Sequence, residues 1–217
     1  PLNKERMQAI DVSNSFVSAY KNIDTLSEYI RSLRPISGST EIQFAENLLK
    51  ESKLELQQQY LYNFWTTRNA EAETAWLAYH KEVLKVNKQF ATYSVKGYDT
   101  DRGRVYLQYG APDSRNAVSA EPSVYPYEIW QYNSLINKSI ILTNPNNRQS
   151  NKRFVFYNPD LVSNKYMLIH SDARGEIMNT RWQMLLNKRN VTSNNFDDEK
   201  VDDNFGGGVN DNYINPK

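Results

Sequence analysis

Over residues 24–91, apolar positions recur every three to four residues, the spacing of one face of an α-helix. Leu26, Tyr29, Ile30 and Leu33 define a first helix, with Asp24 as its expected N-cap. Pro35 ends it, because a proline pushes the residue before it out of the αR region. Ser37-Gly38-Ser39 is a turn, and Ser39 or Thr40 is expected to cap a second helix carrying Phe44, Leu48 and Leu49 on one face. A third helix, over about 53–67, shows Leu54, Leu61, Phe64 and Trp65, with Leu56 and Tyr60 widening the stripe. A stripe that broad marks the central helix of a bundle. In the fourth, over about 70–91, Trp76, Tyr79, Val83, Val86 and Phe90 share one side. Glu71, Glu73, Lys81, Glu82, Lys85 and Lys88 form the solvated side. Short loops between such helices predict antiparallel neighbours. Residues 1–23 show no clean period and read as a short strand or an irregular arm.

Past residue 95 the period shortens. Val105, Leu107 and Tyr109 alternate with Arg104, Tyr106 and Gln108, which predicts a half-buried strand. A short helix is the alternative, since Val105 and Tyr109 also share a helical face. Residues 111–126, with Pro112, Pro122 and Pro126, read as loop. Strands are expected at 127–132, 153–157 and 166–170, with Glu128, Trp130 and Tyr132 on one face of the first. Between them, 133–152 is an Asn-rich excursion, a hairpin tip or mobile loop, and Asn158-Pro159-Asp160 is a turn. Residues 177–187, with Trp182, Leu185 and Leu186, form either a helix or a last strand. The fold class is therefore α+β: N-terminal antiparallel helices packed against a small antiparallel sheet of three to five strands, with a polar C-terminal tail. The expected division is a helical region at 1–95, an α+β region at 96–190 and an acidic, Gly-rich tail at 191–217. Asn212-Tyr213-Ile214 has enough apolar character to dock back onto the rest.

Composition narrows the functional classes. Lys+Arg 26 against Asp+Glu 25 gives a formal charge of +1, so the basic excess of a nucleic-acid binder is absent and no nucleic-acid partner is expected. With no Cys there is no disulfide, zinc thiolate site or thiol nucleophile. Fifteen Tyr and four Trp supply large buried areas where the mean hydropathy of -0.74 promises only a modest aliphatic core. No apolar run is long enough to span a membrane. A chain that opens on Pro1 without Met looks like a piece of a larger protein, and any export signal would lie upstream.

Charge and backbone freedom concentrate in Gly97-Tyr98-Asp99-Thr100-Asp101-Arg102-Gly103-Arg104, followed by Gly110-Ala111-Pro112-Asp113. This stretch resembles the GWxTD domain, a family named for Gly-Trp-x-Thr-Asp followed by Arg-Gly-Arg and a Gly-x-Pro turn. Tyr98 stands where the family has Trp, an aromatic exchange. The resemblance extends back over Leu33-Arg34-Pro35-Ile36 and Asn63-Phe64-Trp65-Thr66-Thr67-Arg68-Asn69. It runs forward over Pro126-Tyr127-Glu128-Ile129-Trp130, Arg153-Phe154-Val155-Phe156-Tyr157 and His170-Ser171-Asp172. It implies a part of a larger exported bacterial protein, located in the cell envelope or secreted. No reaction or ligand comes with it.

Candidate binding residues are Asp99, Asp101, Arg102, Arg104, Glu128, Trp130 and His170. Two carboxylates and two guanidiniums beside glycines can hold an anionic or hydroxyl-rich ligand. The favoured reading is structural: Asp101 caps a turn, and the arginines pair with nearby carboxylates and stitch the helical half to the sheet. His170-Ser171-Asp172 lacks the convergence a nucleophile, base and orienter need, because neighbours on a strand point to opposite faces. Glu128 with Asp99 or Asp101 is the remaining acid pair for polymer cleavage. Tyr106, Tyr109, Tyr125, Tyr127, Trp130 and Tyr132 are either an aromatic platform for a sugar polymer or core. His80 and His170 have no metal-ligand spacing, so neither a metal nor a cofactor is expected. The expected role is a non-enzymatic interaction or scaffolding module of an exported envelope protein, with a protein or envelope polymer as partner. The alternatives are a carbohydrate- or peptidoglycan-binding module and an enzyme acting on envelope polymers.

Overall fold

The computed structural model describes residues 12–121, 124–186 and 207–214. Among them, helices are followed by a four-stranded antiparallel sheet, an α+β arrangement. In chain order the elements are α1 (Ile23–Ser32), α2 (Ser39–Glu51), α3 (Leu54–Thr66), α4 (Ala72–Phe90), α5 (Asp101–Tyr109), β1 (Ser114–Val118), β2 (Tyr127–Leu135), β3 (Gln149–Tyr157), β4 (Met167–Ser171), α6 (Trp182–Leu186) and α7 (Gly207–Ile214). The described residues fall into two compact units, one up to Lys88 together with Asn137–Asn147, the other Gln89–Ile136 together with Arg148 onward. The excursion read at 133–152 is the tip of the β2–β3 hairpin; its residues Asn137–Asn147 group with the first unit, and Lys138–Ile140 forms a 3-10 turn. The boundary between these two units falls inside α4.

In the first unit the helical periods hold, and the caps lie one or two positions earlier than their residue types suggest. Asn22, not Asp24, caps α1, its side-chain oxygen accepting the Asp24 and Thr25 N–H groups. α2 begins after Gly38, whose N–H is taken by Glu41 reaching back from the first turn. Leu26, Ile30, Leu33, Leu61 and Trp76 are buried, and the Trp76 indole N–H bonds Tyr20 Oη at 2.8 Å. Phe16–Ala19, in the region read as strand or arm, is a 3-10 turn; residues 1–11 lie outside the described residues.

The second unit is the sheet, in strand order β1-β2-β3-β4, with a helical layer on each face. Alternation along β2 decides what each face holds. Trp130 and Tyr132 lie on one face with Phe154 and Phe156 of β3, against Tyr109 of α5 and Phe90 at the end of α4. Tyr127 and Ile129 lie on the other with Val155, Ile169, Trp182, Leu186 and Val209. Residues 177–187 therefore contribute a helix, not a last strand, over Trp182–Leu186. The closing apolar run docks as α7, while 191–206, the acidic part of the expected tail, lies outside the described residues.

Two expectations fail here. Asp101–Tyr109 is a helix, not a strand. Its alternation misled because Arg102, Val105, Tyr106, Leu107, Gln108 and Tyr109 are all buried, so polarity along it does not report which side faces water. Thr100, not Asp101, is its N-cap, its hydroxyl accepting the Gly103 N–H at 3.1 Å. Gly110 then stops the helix at φ 98°, ψ -175°, a conformation close to glycine-only. The second failure is β1, which lies inside the run read as loop. Ser114-Arg115-Asn116-Ala117-Val118 has little β propensity, and pairing with β2 over its whole length holds it extended.

Candidate functional site

The signature stretch lies wholly in the second unit, where its arginines join α5 to the sheet and its loops. Glu128 is the centre. It lies on β2 facing α5, and its side chain is 3% exposed. Arg102 Nη1 donates to Glu128 Oε1 at 2.7 Å, and Arg115 forks onto the same carboxylate, Nη2 to Oε1 at 2.8 Å and Nε to Oε2 at 3.0 Å. The Trp130 indole N–H adds a fourth donor to Oε2 at 2.9 Å. Four donors take up the acceptor positions a carboxylate offers. Arg115 was visible in the sequence only as part of a polar loop. Once β1 pairs with β2, Arg115 stands opposite Trp130 and diagonal to Glu128, close enough to bridge.

Arg102 is held from several sides. Its Nη2 donates to the Asn164 carbonyl at 2.8 Å and to Asn164 Oδ1 at 2.6 Å. The guanidinium carbon lies 4.1 Å from the Tyr166 ring centroid and 5.0 Å from that of Phe90. Burial pushes Arg102 below its ordinary value, and the Glu128 charge and bond offset part of that. Arg102 Nε is buried with no partner among the described residues, a further cost of placing the group here.

One turn on, Arg104 closes a second network. Its Nη1 and Nη2 donate to Glu176 Oε1 and Oε2, each at 2.8 Å, in the bidentate geometry that suits guanidinium and carboxylate. Nη1 also reaches Gln108 Oε1 at 2.9 Å, and Tyr109 Oη donates to Glu176 Oε1 at 2.7 Å. Burial opposes the Arg104 charge, but the Glu176 bond and charge outweigh it and raise its pKa. Burial, with the Glu176 charge, drives the Tyr109 phenol well up. Glu176, in a turn after β4, carried no sequence signal.

The other candidates separate. Asp101 Oδ2 accepts the Leu168 N–H at 2.7 Å, and Asp99 is exposed on the 3-10 turn before α5. Glu128 therefore does not form an open acid pair with Asp101, whose carboxylate is taken up by β4. Trp130, Tyr127 and Tyr132 are within 1% of full burial, and Tyr106 and Tyr109 are buried. These five rings are core rather than an exposed platform, and Tyr125 is half-buried. Burial raises the Tyr127 phenol to about 12. In the first unit a further ion pair went unnamed in the sequence: Arg68 Nη2 donates to Glu41 Oε1 and Oε2 at 2.8 and 2.7 Å. No three His, Cys, Asp or Glu side chains of the described residues group as a metal site.

His170 owes its position to an irregularity. Val155 pairs with His170 and Phe156 with Leu168, so Ile169 is an extra residue in β4. Such a bulge turns a side chain to the opposite face, and His170 meets Trp182 and Tyr213 there, on the Val155 side. Its Nδ1 accepts the Asn179 N–H at 3.2 Å, which leaves Nε2–H to donate to Tyr213 Oη at 3.2 Å. Ser171 Oγ donates to the Arg153 carbonyl and Asp172 accepts the Arg153 N–H. The three consecutive polar residues thus serve separate partners. Burial lowers His170, with the Asp172 charge partly offsetting, and burial also lowers His80. A histidine lowered in the fold binds its proton more tightly when unfolded, so stability is full above about pH 6.5 and falls as pH drops below it. Each histidine contributes a slope of at most about 1.4 kcal/mol per pH unit. Urea unfolding midpoints taken from about pH 7.5 to 5.5 are expected to decline, less steeply in His170→Gln. An unchanged slope in that variant would remove His170 from the account.

The class is that of an α+β domain on an open antiparallel sheet, with the charged signature locking one helix to that sheet. The chain belongs to the GWxTD domain family, which it matches over residues 3–183. No curated protein and no solved structure matches the chain. None of the described helices is long and apolar enough to cross a membrane.

Proposed function

We propose that this chain is a non-catalytic interaction module of a larger exported bacterial cell-envelope protein. The observation that supports it is the use of Glu128. A general acid or nucleophile must reach substrate, and this carboxylate is 3% exposed and bonded by four donors of its own chain. Asp101 and Arg104 are likewise bonded within the domain. Of the aromatic residues that would make a sugar platform, all but the half-buried Tyr125 lie in the core. The envelope location follows from the family resemblance.

The test pairs an activity with a binding measurement. The 217-residue chain is incubated with peptidoglycan sacculi and released fragments are measured. In parallel, the full-length protein is cross-linked in living cells through photoreactive side chains placed on this domain. The expected results are no fragment release and cross-links to envelope protein. Fragment release that disappears in a folded Glu128→Gln or His170→Asn variant would contradict the proposal.

A further inference from the structure

The two edges of the sheet are treated differently. An edge strand presents unpaired N–H and C=O groups that template pairing with another chain, and proteins block such edges by several devices. The β4 edge is blocked twice: Asp101 Oδ2 takes the Leu168 N–H at 2.7 Å, and the Ile177 carbonyl takes the Ser171 N–H at 2.8 Å. Among the described residues, β1 is the opposite edge and pairs with β2 alone. Over Arg115, Asn116, Ala117 and Val118, no backbone group bonds to a described residue other than across the β1–β2 ladder. Alternate residues of an antiparallel strand direct their N–H and C=O away from the partner. The edge therefore offers backbone groups to a newcomer. The four residues include no proline, and the register against β2 runs unbroken, so neither a proline nor a bulge closes it.

The side chains say what fits. Arg115 and Ala117 are exposed, and Asn116 and Val118 are half-buried. Ala117 leaves room for a second backbone to approach. Arg115 is 41% exposed and shares Glu128 with Arg102, so two guanidiniums stand on one carboxylate. Its Nε and Nη2 are taken up by Glu128, which leaves Nη1 for an incoming acceptor. Asp113, just before the strand, has its carboxylate on the Asn133 N–H.

We infer that β1 is a strand-addition site. An extended segment of a partner protein pairs along Arg115 to Val118 and sets an Asp or Glu side chain against Arg115. This rests on the interaction-module reading and names its surface and its ligand class. Main-chain bonds supply affinity in this mode of recognition, and the side chains beside the edge supply selection.

The test titrates the 217-residue chain with synthetic peptides of about nine residues, long enough for one strand. Thr and Val alternate around a central Glu or a central Lys. Amide hydrogen exchange is followed in parallel. The Glu peptide is expected to bind about tenfold tighter than the Lys peptide, with slowed exchange confined to β1. N-methylation at one alternate set of peptide residues abolishes binding, and at the other set does not. Arg115→Gln removes the preference for Glu while binding persists. No binding of the Glu peptide at about 1 mM overturns the inference. Protection on another surface overturns it as well, yet leaves the interaction module standing. Absence of any protein cross-link in cells removes the module reading itself.

Discussion

Replacing Glu128 with alanine is expected to destabilise the domain by about 3–5 kcal/mol, the cost of leaving a buried guanidinium without its carboxylate. Arg102, only 3% exposed in its side chain, loses its one charged partner among the described residues, and the Asn164 contacts that remain are neutral. Arg115 loses the same partner but is 41% exposed, so water compensates it and its share is small. The Trp130 indole N–H is orphaned in the core as well. Chemical denaturation followed by far-UV circular dichroism reads the loss directly. Glu128→Gln keeps the shape and an acceptor oxygen, so it is expected to cost less than alanine. A loss under about 1 kcal/mol for Glu128→Ala would mean that Arg102 relaxes into water.

Trp130→Ala is expected to cost a comparable 3–5 kcal/mol, from lost burial and the cavity left behind. Trp130 is fully buried, its ring 4.9 Å from that of Phe156 and 5.6 Å from that of Phe90. Trp130→Phe separates packing from polarity. It keeps most of the ring contact and deletes the N–H that donates to Glu128, a bond to a charged group worth about 1.5–3 kcal/mol. Thermal unfolding of the two variants against the parent distinguishes them. If Phe costs as much as Ala, the hydrogen bond dominates the site; if Phe is neutral, Glu128 is satisfied without it.

What was legible in the sequence follows physical lines. The four long helices were readable because each has one wet and one dry face, so burial imprints a period of 3.6. β2 was readable because Glu128, Trp130 and Tyr132 alternate with Tyr127 and Ile129 against two different layers. α5 was not, since a helix buried on most sides carries no such imprint. β1 was missed for the opposite reason. As an edge strand half open to water, it has no strong apolar alternation, and its partner rather than its propensity holds it extended. The bulge at Ile169 lies beyond any period argument, since one inserted residue reverses the faces that alternation assigns.

The candidate site was legible in its residue types and not in its use. Asp101, Arg102, Arg104 and Glu128 were named, and the pairing of arginines with carboxylates was foreseen as one reading. Which carboxylates they meet was not. Glu176 lies 72 positions from Arg104, Asn164 62 from Arg102 and Glu128 26 from Arg102. Partners so far apart in the chain are set by topology, which local pattern does not contain. The signature is therefore best understood as a fastener. Thr100 starts the helix, Asp101 closes the β4 edge, Arg102 and Arg104 anchor to β2 and to the turn after β4, and Gly110 lets the chain leave for β1.

That central claim, that the charged signature holds α5 to the sheet, is tested most directly by a double-mutant cycle on Arg102 and Glu128. Arg102→Met, Glu128→Leu and the double variant are unfolded in urea beside the parent chain. The account predicts that the pair of changes costs at least about 2 kcal/mol less than the sum of the two single changes. Glu128→Leu strands the buried Arg102 guanidinium, a cost the double variant does not carry, while in Arg102→Met the carboxylate keeps Arg115 and Trp130. Additivity within about 0.5 kcal/mol would mean that the two groups do not depend on each other, and would contradict it.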